Sequence, residues 1–255
     1  MKYYDKLLMM GCFTLEDVCA FISNIHTAKS MLLEYSKKGY VRNVKRNLYV
    51  ALDLVSKESV ASKYQIASKI TDTSYVSYHS AFEYYGFANQ VSNEVLVSSD
   101  TRFSSFSFDG ITYSFVKSKI DDGVVEENKI RVTTIERTLL DNIDAFSKHM
   151  GLEELLRCVE LIPSVNEIKL LHYLKIYNKQ FLYQKTGYFL NQLTDNLQLS
   201  EYFFDECKSY VGESKRYLEL DLKYYKTIYN KLWQLIVPEN LELLTSKGAQ
   251  IDAYI

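Results

Sequence analysis

Proline and glycine are scarce in this chain, two and nine of 255 residues. That excludes collagen-like and low-complexity classes and predicts a chain dominated by helices and hairpins. Cysteine is equally sparse. Cys12, Cys19, Cys158 and Cys207 show no paired two-residue spacing, which argues against a zinc ribbon or a redox motif. They read as core thiols of a protein in the reducing cytoplasm. No long hydrophobic run is present: residues 7–13 are interrupted by Gly11 and fall far short of the ~18 residues a membrane span needs. The same run lacks the small-residue cleavage site of a signal peptide. Also missing are a phosphate-cradling glycine loop, a serine in a nucleophile elbow, and any zinc-ligand motif around His26, His79, His149 or His172. No catalytic residue, metal or cofactor is therefore expected.

What is present is an ordinary globular composition, 47% hydrophobic and 24% charged. The net charge of -2 conceals an asymmetry. Residues 1–56 carry eight Lys and Arg against five Asp and Glu, whereas residues 57–255 carry 22 against 27. Residues 23–50 hold six basic side chains and one acid, a local patch of the kind that steers a protein toward a polyanion.

The pattern around that patch is specific. Residues 2–10 form a short amphipathic helix candidate ending at Gly11. Thr14, with Asp17 three residues later, opens a second helix. Ile25, Ala28, Leu32 and Tyr35 then recur at helical spacing behind the cap residue Asn24, and Gly39 closes that third helix. Tyr40, Val41, Leu48, Tyr49 and Val50 flank a basic tip, Arg42 to Asn47, and predict a hairpin. Three short helices followed by a hairpin describe a winged helix-turn-helix over residues 1–54.

The remaining residues, 55–255, read as a larger mixed domain. Residues 55–142 combine α and β signals. These are a capping pair Ser80/Glu83 before Gly86, a strand over 94–98, and β-rich runs on either side of Asp109-Gly110, the strongest hairpin signal in the chain. A strand over 130–133 and a second capping pair, Thr133/Glu136, precede a helix with core residues Ile135, Leu139, Leu140 and Ile143. Residues 143–255 are mainly helical, through Leu152, Leu155, Leu156 and Val159, then Ile168, Leu171, Leu174 and Tyr177. The class is α+β: an N-terminal winged helix-turn-helix, a small sheet and a mostly helical C-terminal part.

In such a motif the second helix of the pair lies in the major groove and its first exposed residues meet base edges. Those positions are His26, Thr27, Lys29 and Ser30, with Arg42, Lys45 and Arg46 of the wing on the backbone or minor groove. A further basic stripe, Lys169, Lys175 and Lys179 around His172, is a candidate extension of the DNA-facing surface or simply a solvated face. Two other function classes compete. One is a ligand-sensing repressor whose middle region binds a small molecule. The other is a metal-dependent nuclease using Glu219, Asp221 and Lys223 on an alternating strand over residues 218–224, a string that a surface strand also produces without function. Arg137 and Asp141, four apart on one helix, read as an intrahelical ion pair.

Several stretches together resemble the AbiE abortive-infection antitoxins, the transcriptional-regulator half of a type IV toxin-antitoxin pair. They are FTLEDVCAF, KGYVRNVKRNLYVALD, SYVSYHSAFEYYGF, IRVTTIERTLLDNI and KLWQLIVPENLELL, in that order along nearly the whole chain. The resemblance implies a non-enzymatic autorepressor that binds inverted-repeat operator DNA through the winged helix. It implies a C-terminal domain that counteracts a nucleotidyltransferase-like toxin. The expected solution state is a monomer that cooperates on paired DNA sites, with a stable dimer as the alternative. The resemblance also carries the DNA role onto His26, Thr27, Lys29, Ser30, Arg42, Lys45 and Arg46. The wing tip here has more polar residues than the compact arginine-glycine tip of the family pattern.

Overall fold

The computed structural model describes residues 2–192, 197–219, 226–239 and 241, which adopt an α+β architecture with three sheets. The chain divides into two compact units. The first gathers Met1–Val76, Ser92–Ser118 and Val124–Val132; the second gathers Ser77–Val91, Lys119–Gly123 and Thr133–Ile255. Residues 1–54 lie wholly inside the first unit, and residues 55–142 are shared between the two.

The first unit begins with α1 (Tyr4–Met10), β1 (Cys12–Thr14), α2 (Leu15–Cys19), α3 (Ile25–Lys37), β2 (Val41–Lys45) and β3 (Leu48–Ala51). Gly11, at φ +68°, ends α1 in a conformation that costs glycine little. Thr14 starts α2 through a full capping box. Its hydroxyl accepts from Asp17 N at 3.3 Å while its own N–H donates to Asp17 Oδ2 at 2.8 Å. Ala28, Leu32 and Tyr35 of α3 are buried with Leu7, Phe13, Val18, Ile22 and Val41, so tertiary packing of one face holds the helix. Ile25, expected on the same stripe, is exposed.

Strand β1 completes an antiparallel sheet in the order β1-β3-β2. Three residues are too short to show a period, which is why the sequence pattern misses it. The hairpin tip is also shorter than expected. β2 continues through Lys45, with an irregular register between Asn43 and Lys45 that keeps Val41 and Val44 buried, and the turn is Arg46-Asn47, with Asn47 at φ +64°.

Residues 53–62 form a structured turn. Asp53 Oδ1 accepts from Val55 N and Ser56 N at 2.9 and 2.8 Å, and Leu52 bridges to Ser59. A Ser62/Gln65 capping box then starts α4 (Lys63–Ser68).

The rest of the unit is a six-stranded sheet in the order β6-β7-β5-β4-β9-β8. Its strands are β4 (Tyr75–Val76), β5 (Glu94–Ser99), β6 (Phe106–Phe108), β7 (Ile111–Lys117), β8 (Val124–Glu127) and β9 (Ile130–Thr133). β5 and β7 pair in parallel, as do β4 and β9. Asp109 and Gly110, both at positive φ, make the expected tight turn between β6 and β7.

The second unit contains α5 (Tyr78–Tyr84), α6 (Ile135–His149), α7 (Leu152–Glu160), α8 (Glu167–Tyr177), α9 (Gln180–Gln192) and α10 (Glu201–Ser209). It also holds a small sheet of β10 (Arg216–Tyr217), β11 (Thr227–Asn230) and β12 (Leu235–Pro238), in the order β10-β12-β11. Two caps differ from expectation. α5 follows Ser77 without a side-chain cap and Ser80 is buried inside it, while α6 is capped by Thr134, one residue later than Thr133. Ile168 is exposed, because α8 buries Leu170, Leu171, Tyr173, Leu174 and Tyr177 instead. Of the alternating strand expected over 218–224, Leu218 and Glu219 are described; Asp221 and Lys223 lie outside the described residues.

The candidate nucleic-acid interface

The N-terminus of α3 is held by one side chain. Asn24 Oδ1 accepts from His26 N at 2.9 Å and Thr27 N at 3.1 Å, so those two amides are satisfied within the protein rather than left for a phosphate. Burial of Ala28, Leu32 and Tyr35 turns the other face of the helix outward. His26, Thr27, Lys29 and Ser30 are all exposed. Leu33 and Lys37 extend the row three and seven residues beyond Ser30, and Leu33 is 59% exposed. Leu33 was not among the residues singled out in the sequence; its only signal was an apolar residue off the buried stripe.

The β2–β3 hairpin is different. The Arg42 guanidinium pairs with Asp109 in the β6–β7 turn and lies 4.7 Å from the Phe108 ring centroid. Its Nε is buried with no hydrogen-bond partner. The Lys45 ammonium sits 5.2 Å from the Phe103 centroid and 5.3 Å from that of Phe106. This partial desolvation lowers its pKa from the ordinary lysine value. Two of the three hairpin cations, Arg42 and Lys45, are thus engaged by residues in and beside the six-stranded sheet of their own unit. Arg46, in the two-residue turn, is exposed. Its neighbour Asn47 accepts from Leu15 N at 3.2 Å and donates to Glu16 Oε2 at 2.7 Å, pinning the turn to the start of α2. That bond holds the Glu16 carboxyl below its usual pKa.

Beside the turn lies a cleft of about 740 Å³. Its charged lining alternates in sign: Arg46, Lys69, Lys129 and Arg131 against Glu16, Asp17, Asp72 and Glu126. Lys69 is 3.2 Å from Asp17, Lys129 donates to the Met9 carbonyl at 2.5 Å, and Arg131 donates to the Asp72 carbonyl at 2.7 Å. Those three cations are turned to protein oxygens.

No protein-family model matches the chain, and no curated protein sequence matches it. Among solved structures the chain is similar to the crystal structure of the RV2827C protein from Mycobacterium tuberculosis, with a TM-score of 0.64 over 93% of this chain and 89% of that one. Identity is 11%, so the likeness is one of fold.

The other candidate residues separate cleanly. In the second unit Lys169 and Lys175 are exposed on α8, but His172 is 2.6 Å from Asp122. Lys179 follows the left-handed Asn178 that ends α8, and it pairs with Asp144 at 2.9 Å. The basic stripe is therefore partly neutralised by its own unit. Arg137 and Asp141 do form the expected ion pair, at 3.4 Å, and both are almost fully buried. Tyr177 donates to Asp141 at 2.5 Å, and Arg137 also donates to the Asp122 carbonyl. Burial pushes the Asp141 carboxyl up against the opposing pull of Arg137. The charges of this buried network are spent on one another. Among the described residues no helix is long and apolar enough to cross a membrane.

Proposed function

We propose that this protein is a non-enzymatic, double-stranded-DNA-binding regulator whose residues 1–54 act as a winged helix-turn-helix. The observation that carries the reading is α3 itself: a helix with a side-chain cap, an apolar stripe packed on α1, α2 and the hairpin, and an uncovered polar face of His26, Thr27, Lys29 and Ser30. Such a face offers donors and acceptors of the kind that read base edges in the major groove. Within the wing, Arg46 is the residue assigned to the DNA backbone, and Arg42 and Lys45 are assigned to anchoring the hairpin.

Following the resemblance to AbiE antitoxins, the regulator acts on its own operon at inverted repeats, as a monomer that cooperates on paired sites in the cytoplasm. Residues 55–255 oppose a nucleotidyltransferase-like toxin. A gel shift with the DNA upstream of its own gene tests the core of this. Thr27→Ala with Lys29→Ala should weaken specific binding at least about tenfold, the scale of one or two lost base or phosphate contacts. An unchanged shift overturns it. A nucleotidyltransferase gene in the same operon, whose toxicity is suppressed on co-expression, tests the antitoxin assignment. The mixed-charge cleft beside Arg46 favours the ligand-sensing alternative; loss of DNA affinity on adding a metabolite that raises the melting temperature would establish it.

A further inference from the structure

No zinc-ligand motif surrounds a histidine in the sequence, yet folding assembles a mixed ligand set in the second unit. His79 of α5 meets Glu154 and Cys158 of α7. The two α7 residues are four apart and so share one face of the helix. His79 Nε2 lies 3.2 Å from Glu154 Oε1, and Cys158 Sγ lies 3.6 Å from the same oxygen. All three ligand atoms fall within 4.8 Å of one another. The His79 and Glu154 side chains are 13% and 18% exposed, and Cys158 is fully buried. This is unlike a solvated acidic cluster.

These separations match a specific coordination geometry. With bonds of about 2.0–2.1 Å to nitrogen and oxygen and about 2.3 Å to sulfur, a tetrahedral zinc ion holds N and O ligands roughly 3.3 Å apart and O and S ligands roughly 3.6 Å apart. We propose that His79, Glu154 and Cys158 form a divalent-metal site selective for zinc, with the fourth position open to water. Charge supports the assignment: carboxylate, thiolate and neutral imidazole bring two negative charges to a 2+ ion, leaving a neutral cluster in a poorly hydrated place. Ligand chemistry supports it too, since magnesium and calcium select all-oxygen sets while one sulfur, one nitrogen and one oxygen suit a borderline-soft ion. Binding exchanges the Cys158 thiol proton, released to solvent, for the metal. No electron moves. The ion would tie α5 to α7 through His79 and Glu154, 75 residues apart in the chain, and so add to the stability of the second unit.

The test uses the full-length protein, stripped with a chelator and titrated with cobalt(II), whose thiolate charge-transfer band reports a Co–S bond. One cobalt per chain should bind, with that band and with tetrahedral ligand-field absorption, and zinc should displace it. Zinc alone should raise the melting temperature. Outer-shell partners of metal sites are worth about 10–100-fold in affinity, so losing a direct ligand in Cys158→Ser or His79→Gln should cost about a hundredfold or more. Both variants should keep the wild-type circular dichroism spectrum, and Cys12→Ser, Cys19→Ser and Cys207→Ser should keep the band. Absence of the band in the wild-type protein overturns the proposal. So does a band that survives Cys158→Ser or disappears with one of the other three cysteine substitutions.

Discussion

The guanidinium of Arg42 is paired with the carboxylate of Asp109, 67 residues away, so a cation of the β2–β3 hairpin is a strut to the neighbouring sheet. Both side chains are about two-fifths exposed, and an ion pair so exposed contributes no more than about 1 kcal/mol. Arg42→Ala is therefore expected to lower stability to urea by about that amount and to leave DNA affinity within about threefold of wild type. A drop of tenfold or more at constant stability would return Arg42 to the DNA surface.

Lys45 and Lys29 make the complementary pair. Lys45→Met keeps the aliphatic contact with Phe103 and Phe106 and removes a partly desolvated charge, so stability and DNA affinity should both change little. Lys29 is exposed on α3, and Lys29→Ala should weaken binding across all sequences and reduce the slope of log affinity against log salt by about 1. Salt titrations of the two variants side by side check this; equal slopes would remove Lys29 from the phosphate contacts.

Asn24→Ala separates folding from recognition at the same helix. Removing a side chain that accepts from two backbone amides should cost about 1 kcal/mol, read as a lowered melting temperature. Replacement by Asp or Ser should restore most of it, since either supplies an acceptor oxygen. If Asn24→Ala melts as wild type does, the cap is not formed in solution.

The parts of this fold that were legible in the sequence are those written in local chemistry. Thr14/Asp17, Asn24, Gly11 and the Asp109-Gly110 turn each act over three or four residues, and each lies where its local rule places it. Capping pairs that were read one or more residues off, at Ser80 and Thr133, show the limit: several Ser and Thr precede each helix, and packing selects among them. Strands β1 and β4, three and two residues long, have no detectable period and exist only because partners from elsewhere in the chain supply the hydrogen bonds. The candidate interface divides in the same way. His26, Thr27, Lys29 and Ser30 are exposed because the opposite stripe is apolar, which a helical period reveals. The engagement of Arg42 and Lys45 depends on Asp109, Phe103 and Phe106, and the approach of His79 to Cys158 depends on how α5 meets α7; neither leaves a local trace.

Gly187 gives a sharp stability prediction. It lies within α9, where glycine is otherwise unfavourable, and a Cβ there would fall 2.1 Å from Cζ3 of the fully buried Trp233. The Trp233 backbone is held at both its polar groups, its N–H donating to Asn230 Oδ1 at 3.1 Å and its carbonyl accepting from Gln184 Nε2 at 3.1 Å. Neither helix nor ring can yield cheaply. Gly187→Ala should therefore destabilise the protein by about 1–3 kcal/mol despite its better helix propensity, as overpacked cores do. Denaturant unfolding followed by tryptophan fluorescence reports both the loss and the displacement of the single tryptophan. An unchanged midpoint would mean that the ring does not occupy this notch.

Lys185 sets a pH dependence. α6 breaks at Ala145 (φ -131°, ψ 21°), and the Lys185 ammonium donates to the Ile143 and Asp144 carbonyls at 3.2 and 3.0 Å while lying over the rings of Phe146 and Phe181. Burial is the largest influence on it and outweighs the pull of Asp144, bringing its pKa down from 10.5 to about 8. Between those values the unfolded chain binds more protons at this site than the folded chain does, so the contribution of Lys185 to stability rises with pH across that window. It is fully present above 10.5 and lost as the pH falls through 8. At 1.36 kcal/mol per pKa unit the upper limit is roughly 3 kcal/mol, reduced by the two carbonyl bonds that favour the charged form. Other groups titrate in the same range, so the quantity to measure is the difference between wild type and Lys185→Met. That difference should move in favour of wild type from pH 8 to pH 10, and a flat difference would place the Lys185 ammonium in water.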